Sequence, residues 1–303
     1  VPNVYRVKFS NEENKFKVML HGTDSFGKHF IVNSSLNQVS RYYTICNCMH
    51  SEIHPIYLNA FDSILGKTSG GRNDDIQNSE NNMSEMQMEV QRTPSNLDKA
   101  EGVADFLELV IKFYPQSKKG ITKQLSSLQV NQQFIINGPF GKGLDLGPDN
   151  IVGKNLIFLG GTGVLPFVDL FAYLARMLIS EKSQKDQVYD NEAFDEHFKE
   201  ASFVVYGYYP KQSEAIASKF LNRISDLFVH FEAAERFSFS PIYTREGGAR
   251  LNKDSMFDML KEHNNADNLK NVWVCGPPPM NNMFQRMRKV IRSEFNNCAV
   301  DIF

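Results

Sequence analysis

Tryptophan occurs once in the 303 residues and cysteine four times, against 24 phenylalanines and 11 tyrosines. Cys46, Cys48, Cys275 and Cys298 form no recognisable disulfide framework. That excludes a small disulfide-stapled scaffold and favours a reducing compartment, such as the cytoplasm or the cytoplasmic face of a membrane, while location itself stays open. An excess of charge is also missing, since 33 Lys and Arg stand against 35 Asp and Glu for a net charge of −2. Nucleic acid is therefore excluded as the main partner, because no basic field would gather it. No apolar run reaches the roughly 18 residues of a membrane span; the longest, around Leu156–Phe158 and Leu170–Ile179, are broken by polar residues or Gly. The N-terminus has no initiator Met and no basic region leading into an apolar run, so it is not a signal peptide. Such a start reads as a processed chain or a module cut from a longer polypeptide.

What is present suffices for a large core. The hydrophobic fraction is 42% and the charged fraction 22%, ordinary globular values. At roughly 100–200 residues per domain the length allows about two domains. Val1 to Leu65 alternates apolar and polar residues in short runs, at Tyr5–Phe9, Phe16–Leu20, Phe30–Val32 and Tyr42–Cys46, the pattern of antiparallel strands. Gly66–Gly102 is polar and of low complexity, an expected flexible insert. Strand character resumes at Phe106–Tyr114 and Gln133–Pro139, with a short helix expected at Ile121–Leu128. From about Gly153 the period changes. Strands are expected at Asn155–Leu159, Ser202–Tyr206, Leu227–Glu232, Val272–Val274 and Cys298–Phe303. They alternate with helices at Leu165–Ile179, Ser213–Leu227, Lys253–Lys261 and Met280–Glu294, and Ser180–Glu200 forms a second polar insert. Alternation of this kind predicts a parallel sheet covered on both faces. The expected division is a β domain over residues 1–150 and an α/β domain over 151–303.

Two strand-to-helix turns carry chemistry. Gly160-Gly161-Thr162-Gly163 lets the backbone bend sharply and lets a ligand approach, and the helix start behind it offers N–H groups to a pyrophosphate. It is neither the G-x-G-x-x-G fingerprint nor a P-loop, so a plain tight turn stands beside the nucleotide reading. Cys275-Gly276-Pro277-Pro278-Pro279-Met280 ends a second strand abruptly. Both turns fall at the strand ends where parallel sheets bind ligands. Cys275 reads either as a thiol packed beside a reacting ring or as a small buried apolar residue. Arg41-Tyr42-Tyr43-Thr44 puts a guanidinium, two rings and a hydroxyl on one strand; Arg suits phosphate and an aromatic suits a planar ring. Cys46, Cys48, His50 and His54 have ligand chemistry for a metal, but their spacing suits strand and loop residues better, and no metal is expected.

Taken in order, Arg41-x-Tyr43-Thr44, Lys112-x-Tyr114, Gly120-Ile121-Thr122, Gly138-Pro139-Phe140-Gly141, Gly160–Pro166 and Cys275–Met280 resemble the ferredoxin–NADP reductase superfamily. The likeness is greatest to its cytochrome b5 reductase and nitrate reductase branch, and it covers almost the whole chain outside the inserts. The resemblance implies an antiparallel Greek-key β-barrel that binds FAD, followed by a parallel-sheet α/β domain that binds NAD(P)H. Hydride would pass from nicotinamide to flavin, and single electrons onward to a one-electron acceptor such as a haem domain or haem protein. An attached haem or membrane module preceding Val1 would fit the abrupt start. By the same resemblance Arg41 binds the FAD pyrophosphate, Tyr43 the flavin, and Thr44 the edge near flavin N5, with Tyr42 beside them. Lys112 and Tyr114 line the flavin or nicotinamide side, and Gly120, Ile121 and Thr122 hold the FAD phosphates. Gly160, Gly161, Thr162 and Gly163 take the dinucleotide, while Cys275, Gly276, Pro277 and Met280 shape the hydride-transfer pocket. Thr44, Thr162 and Cys275 are the catalytic candidates. Phe303 resembles the terminal aromatic that lies near the flavin in some members.

The pattern is not followed throughout. Tyr42 and Ile45 stand where the nearest branch commonly has Pro, and Leu165 replaces a Thr before Pro166. With the long inserts, these departures motivate a second reading, a catalytically weak or inactive assembly subunit on the same fold. Cofactor choice rests on the segment Tyr208–Glu214, where Glu214 near the ribose position points to NADH, with NADPH as the alternative because of Lys211.

Overall fold

A computed structural model describes residues 4–10, 26–33, 40–44, 46–51, 53–67, 106–113, 134–183, 196–264, 268–296 and 298–303. The expected strand at Phe16–Leu20 and helix at Ile121–Leu128 lie outside these residues.

The first part of the chain is antiparallel. Strand β1 (Val4–Ser10) pairs with β4 (Phe106–Lys112), while β2 (His29–Asn33) lies between β3 (Ser40–Thr44) and β5 (Ile135–Phe140). The two sheets enclose one core of Val7, Phe30, Val32, Leu107, Leu109, Ile111 and Phe113. Alternation explains the inward set, because every second residue of a strand faces one side. On β4 the opposite face is buried too. Val110 packs into the larger core, and the Glu108 carboxylate accepts from the Ser51 backbone N–H at 2.9 Å and its hydroxyl at 2.7 Å.

The expectation of strands alone up to Leu65 is corrected. The strand holding Arg41 stops at Thr44, and Asn47–Met49 forms a 3-10 turn. Helix α1 (His54–Ile64) follows, with Pro55 in its first turn, where a missing N–H costs nothing. Its buried residues Tyr57, Ala60 and Phe61 fall at helical spacing.

The second part is a five-stranded parallel sheet in the order β10-β9-β6-β7-β8. The strands are β6 (Gly153–Gly160), β7 (Ala201–Tyr209), β8 (Phe237–Tyr243), β9 (Leu269–Cys275) and β10 (Ala299–Ile302). Helices α2 (Leu165–Ser183) and α3 (Ser218–His230) cover one face; α4 (Lys253–His263) and α5 (Pro278–Glu294) cover the other. Central β6 is buried from Asn155 to Gly160, as a strand covered on both sides must be.

The strand expected at Leu227–Glu232 is the end of α3. Phe220, Leu221, Ile224, Leu227 and Phe228 keep a helical stripe inward, and Val229 stands 61% exposed. The true strand is β8, where Phe237 and Phe239 are buried and alternate with Ser238 and Ser240. The second insert is shorter at both ends than expected. Helix α2 runs on to Ser183, and a 3-10 turn at Glu196–Lys199 buries Phe198 against Tyr173. By length and composition Gly161–Lys182 could cross a membrane, but 78% of its apolar window is buried inside the protein, where it serves as a core helix.

Candidate functional site

Strand order reverses at β6. The chain runs from β6 to β7 and β8 on one side, then returns to β9 and β10 on the other. A crevice opens at the C-terminal ends of the strands at such a point. Here it widens into a cavity of about 1260 Å³ between the parallel sheet and the end of β3. That exceeds the roughly 300–1,000 Å³ of most small-molecule sites and leaves room for extended ligands.

The antiparallel half contributes Arg41, Tyr42, Tyr43, Thr44 and Lys112 to the lining. Tyr42 is 66% exposed, and its ring meets His29 edge-on at 4.8 Å. The Arg41 guanidinium donates to the Ser40 carbonyl at 2.9 Å. The parallel half contributes Gly160, Gly161, Thr162 and Gly163 from one turn, and Cys275, Gly276, Pro277 and Met280 from the other. Tyr114, Gly120, Ile121 and Thr122 lie outside the described residues.

The glycines divide by task. Gly163 serves packing, since a Cβ there would run into the Cys275 carbonyl. Among the glycines of the lining, Gly161 alone combines a left-handed φ of +57° with open space where a Cβ would be. Behind it a short 3-10 turn, Gly161–Val164, leads directly into α2. The turn therefore presents bare backbone and a helix start to the cavity.

Burial pushes the Cys275 thiol up to about 12, so it stays protonated and uncharged. The adjoining Gly276 N–H donates to Asn281 Oδ1 at 3.0 Å. Asn281 in turn donates to the Phe303 carbonyl at 3.3 Å, and the Phe303 N–H donates to Val274 O at 2.9 Å. This clip fixes the C-terminus beside the second turn. The Phe303 ring itself meets Phe167 edge-on at 5.4 Å and is not part of the lining.

Cys46, Cys48, His50 and His54 are not gathered around a point. Cys46 Sγ donates to Leu165 O at 3.1 Å, and His54 Nδ1 lies 3.1 Å from Cys48 O. Among the described residues no group of three or more metal-ligating side chains occurs.

The sequence reading missed two cations. Arg245 and Arg250 line the cavity beyond the end of β8. Their loop is pinned to β7, since Thr244 N donates to Tyr209 O and Arg245 N to Pro210 O, both at 2.8 Å. Lys211 and Glu214, singled out from the sequence, are not in the lining. The signal for Arg245 was a cation just past a strand, which becomes visible only once β8 is placed correctly. Among the described residues the lining holds four cations, Arg41, Lys112, Arg245 and Arg250, and no Asp, Glu or His.

No protein-family model matches the chain, and no curated protein matches it in sequence. Solved structures do match in fold. The cytochrome b5 reductase domain of Ulva prolifera nitrate reductase superposes with a TM-score of 0.54 at 14% identity, over 99% of this chain and 92% of that one. Ferredoxin-NADP+ reductase from Plasmodium falciparum gives 0.55 at 12% identity, over 100% and 90%. The Amycolatopsis cytochrome P450 reductase GcoB gives 0.53 at 13%, over 99% of this chain and 64% of that one. The chain thus shares the fold of these reductase structures, an antiparallel β half followed by a parallel-sheet α/β half.

Proposed function

We propose that this chain binds FAD and NADPH in the one cavity and passes electrons from the nucleotide to a one-electron acceptor, a haem protein or haem domain. The observation that carries the reading is the lining, which among the described residues holds four cations, no carboxylate and a bare glycine turn at a helix start. That donor set fits two phosphate-bearing dinucleotides and would repel neither. Bound side by side, the two groups would supply hydride transfer from nicotinamide to flavin and release of single electrons.

The residues bind, orient and shield. Residues 1–150 would hold the flavin, with Arg41 on its pyrophosphate, Tyr42 and Tyr43 against its planar and ribityl parts, and Thr44 at its reacting edge. Lys112 adds a second cation nearby. Tyr114 and Gly120–Thr122 remain proposed flavin contacts by resemblance. Residues 151–303 would hold the nucleotide. Gly161 and the start of α2 would receive its pyrophosphate, and Thr162 and Cys275 would face the nicotinamide. A neutral Cys275 thiol gives that ring a small uncharged wall. No general base is required for hydride transfer.

The choice of NADPH over NADH reverses the reading from Glu214. Arg245 and Arg250 line the cavity beyond β8, and if the nucleotide runs from Gly161 past β7, they would meet its adenosine end, where a cation suits a 2′-phosphate. The acceptor class is supported by the names of two fold neighbours, a nitrate reductase's cytochrome b5 reductase domain and a cytochrome P450 reductase. Purified protein supplied with FAD should retain it through desalting, read from flavin absorbance. Protein that retains none refutes the reading and leaves the assembly-subunit alternative.

A further inference from the structure

We propose that Asp169 is a positioning residue, tying the exit of the Arg41–Thr44 strand to the helix behind the glycine turn and so setting the spacing of the two halves of the site. The proposal rests on the cofactor reading above. Asp169 stands on α2, past the turn that holds Thr162. Its Oδ2 accepts from the Asn47 backbone N–H and its Oδ1 from that of Cys48, both at 2.9 Å. Cys46 adds a third tie, its thiol donating to the carbonyl of Leu165, a residue of the cavity wall. The strand residue Thr44 lies just upstream of these ties, and Thr162 just upstream of Leu165. The covalent and hydrogen-bonded path between the two candidate reacting edges is therefore short and crosses between the halves here.

The side chain is matched to the task. Each of the two successive backbone donors meets its own carboxylate oxygen, whereas an amide would turn an N–H toward one of them. No Lys or Arg pairs with Asp169 among the described residues; the Asn47 and Cys48 N–H groups, with the Cys48 thiol beside them, hold it in the interface. A second, separate contact joins the halves farther away. There Tyr57 and Phe61 of α1 pack on Phe220 of α3, and Asp62 pairs with Arg223. The distant contact supplies cohesion, whereas Asp169 acts next to the site.

The test compares wild type, Asp169→Asn, Asp169→Ala and, as a control on the distant contact, Arg223→Gln. Amide hydrogen exchange on protein without cofactors should show Asn47 and Cys48 protected in wild type and Arg223→Gln, and freed in both Asp169 variants. Stopped-flow flavin reduction at saturating NADPH should then slow by tenfold to a hundredfold in the Asp169 variants, the order expected for reactants misplaced by about 1 Å. FAD affinity and the KM for NADPH should change less than about threefold, and Arg223→Gln should reduce at the wild-type rate. Four results overturn the proposal: unprotected Asn47 and Cys48 in wild type, wild-type reduction rates in the Asp169 variants, an equal slowing in Arg223→Gln, or unfolding of isosteric Asp169→Asn, which would make the residue a stability element alone. Wild type that binds no flavin fails the cofactor reading itself and is recognised before any variant is compared.

Discussion

Replacing Arg245 by Ala tests the adenosine end of the cavity. The backbone N–H of Arg245 is fixed to Pro210 O at 2.8 Å, so the loop should survive the change and only the side chain is lost. A hydrogen bond to a charged group contributes about 1.5–3 kcal/mol. Arg245 is exposed, so solvent screens it and the lower figure applies. About 1.5 kcal/mol corresponds to roughly a tenfold fall in kcat/KM for NADPH. NADH lacks the 2′-phosphate, and its kcat/KM should stay within about twofold. Arg250→Ala should act in the same direction, and the double variant should lose more than either alone. Because the interaction is screened, raising salt should weaken NADPH use more than NADH use in wild type, and the difference should shrink in Arg245→Ala. The assay is steady-state reduction of an artificial one-electron acceptor with each nucleotide. Equal losses for both nucleotides, or none for either, would refute the placement of a 2′-phosphate at these arginines.

Other consequences follow from packing and burial. Gly163→Ala would drive a methyl into the Cys275 carbonyl, and separating the two turns should cost about 1–3 kcal/mol in urea unfolding; unchanged stability would contradict the close approach. Phe61→Ala empties a fully buried site where α1 meets α3 and should cost about 3–5 kcal/mol, seen as a lower thermal midpoint. The thiols of Cys275 and Cys298 are pushed from 9.0 up to about 12, so the folded state keeps its protons where the unfolded state loses them. Their contribution is complete below pH 9 and declines above it, by about 1 kcal/mol per thiol at pH 10. Urea unfolding should show a shallower decline from pH 8 to 10 in Cys298→Ala than in wild type, and parallel declines would contradict the burial.

The parallel half was legible because its punctuation is local. Gly160–Gly163 after an apolar run, and Pro277–Pro279 before a periodic one, mark where strands stop and helices begin. Where such marks are missing, the reading failed. Leu227-Phe228-Val229 looks like a strand in isolation, and only the stripe from Phe220 shows that the helix continues through it. That error hid β8 and with it Arg245, a cation of the cavity lining. Helix α1 was invisible for another reason. Its apolar residues Tyr57 and Phe61 face Phe220, on a helix more than 150 residues later in the chain, and no local window contains that partner. Asp169 was likewise an unremarkable residue on a helix until the turn at Asn47–Met49 was seen to lie against it. Arg41, Tyr43, Thr44, Thr162 and Cys275 were picked out by motif, and the fold brings all five to one cavity.

The central claim is that this cavity joins a flavin to NADPH. Anaerobic mixing of the FAD-loaded protein with NADPH tests it most directly, with flavin absorbance followed in time. The account predicts rapid bleaching with NADPH and slower bleaching with NADH at equal concentration. Retained flavin that neither nucleotide bleaches would contradict it.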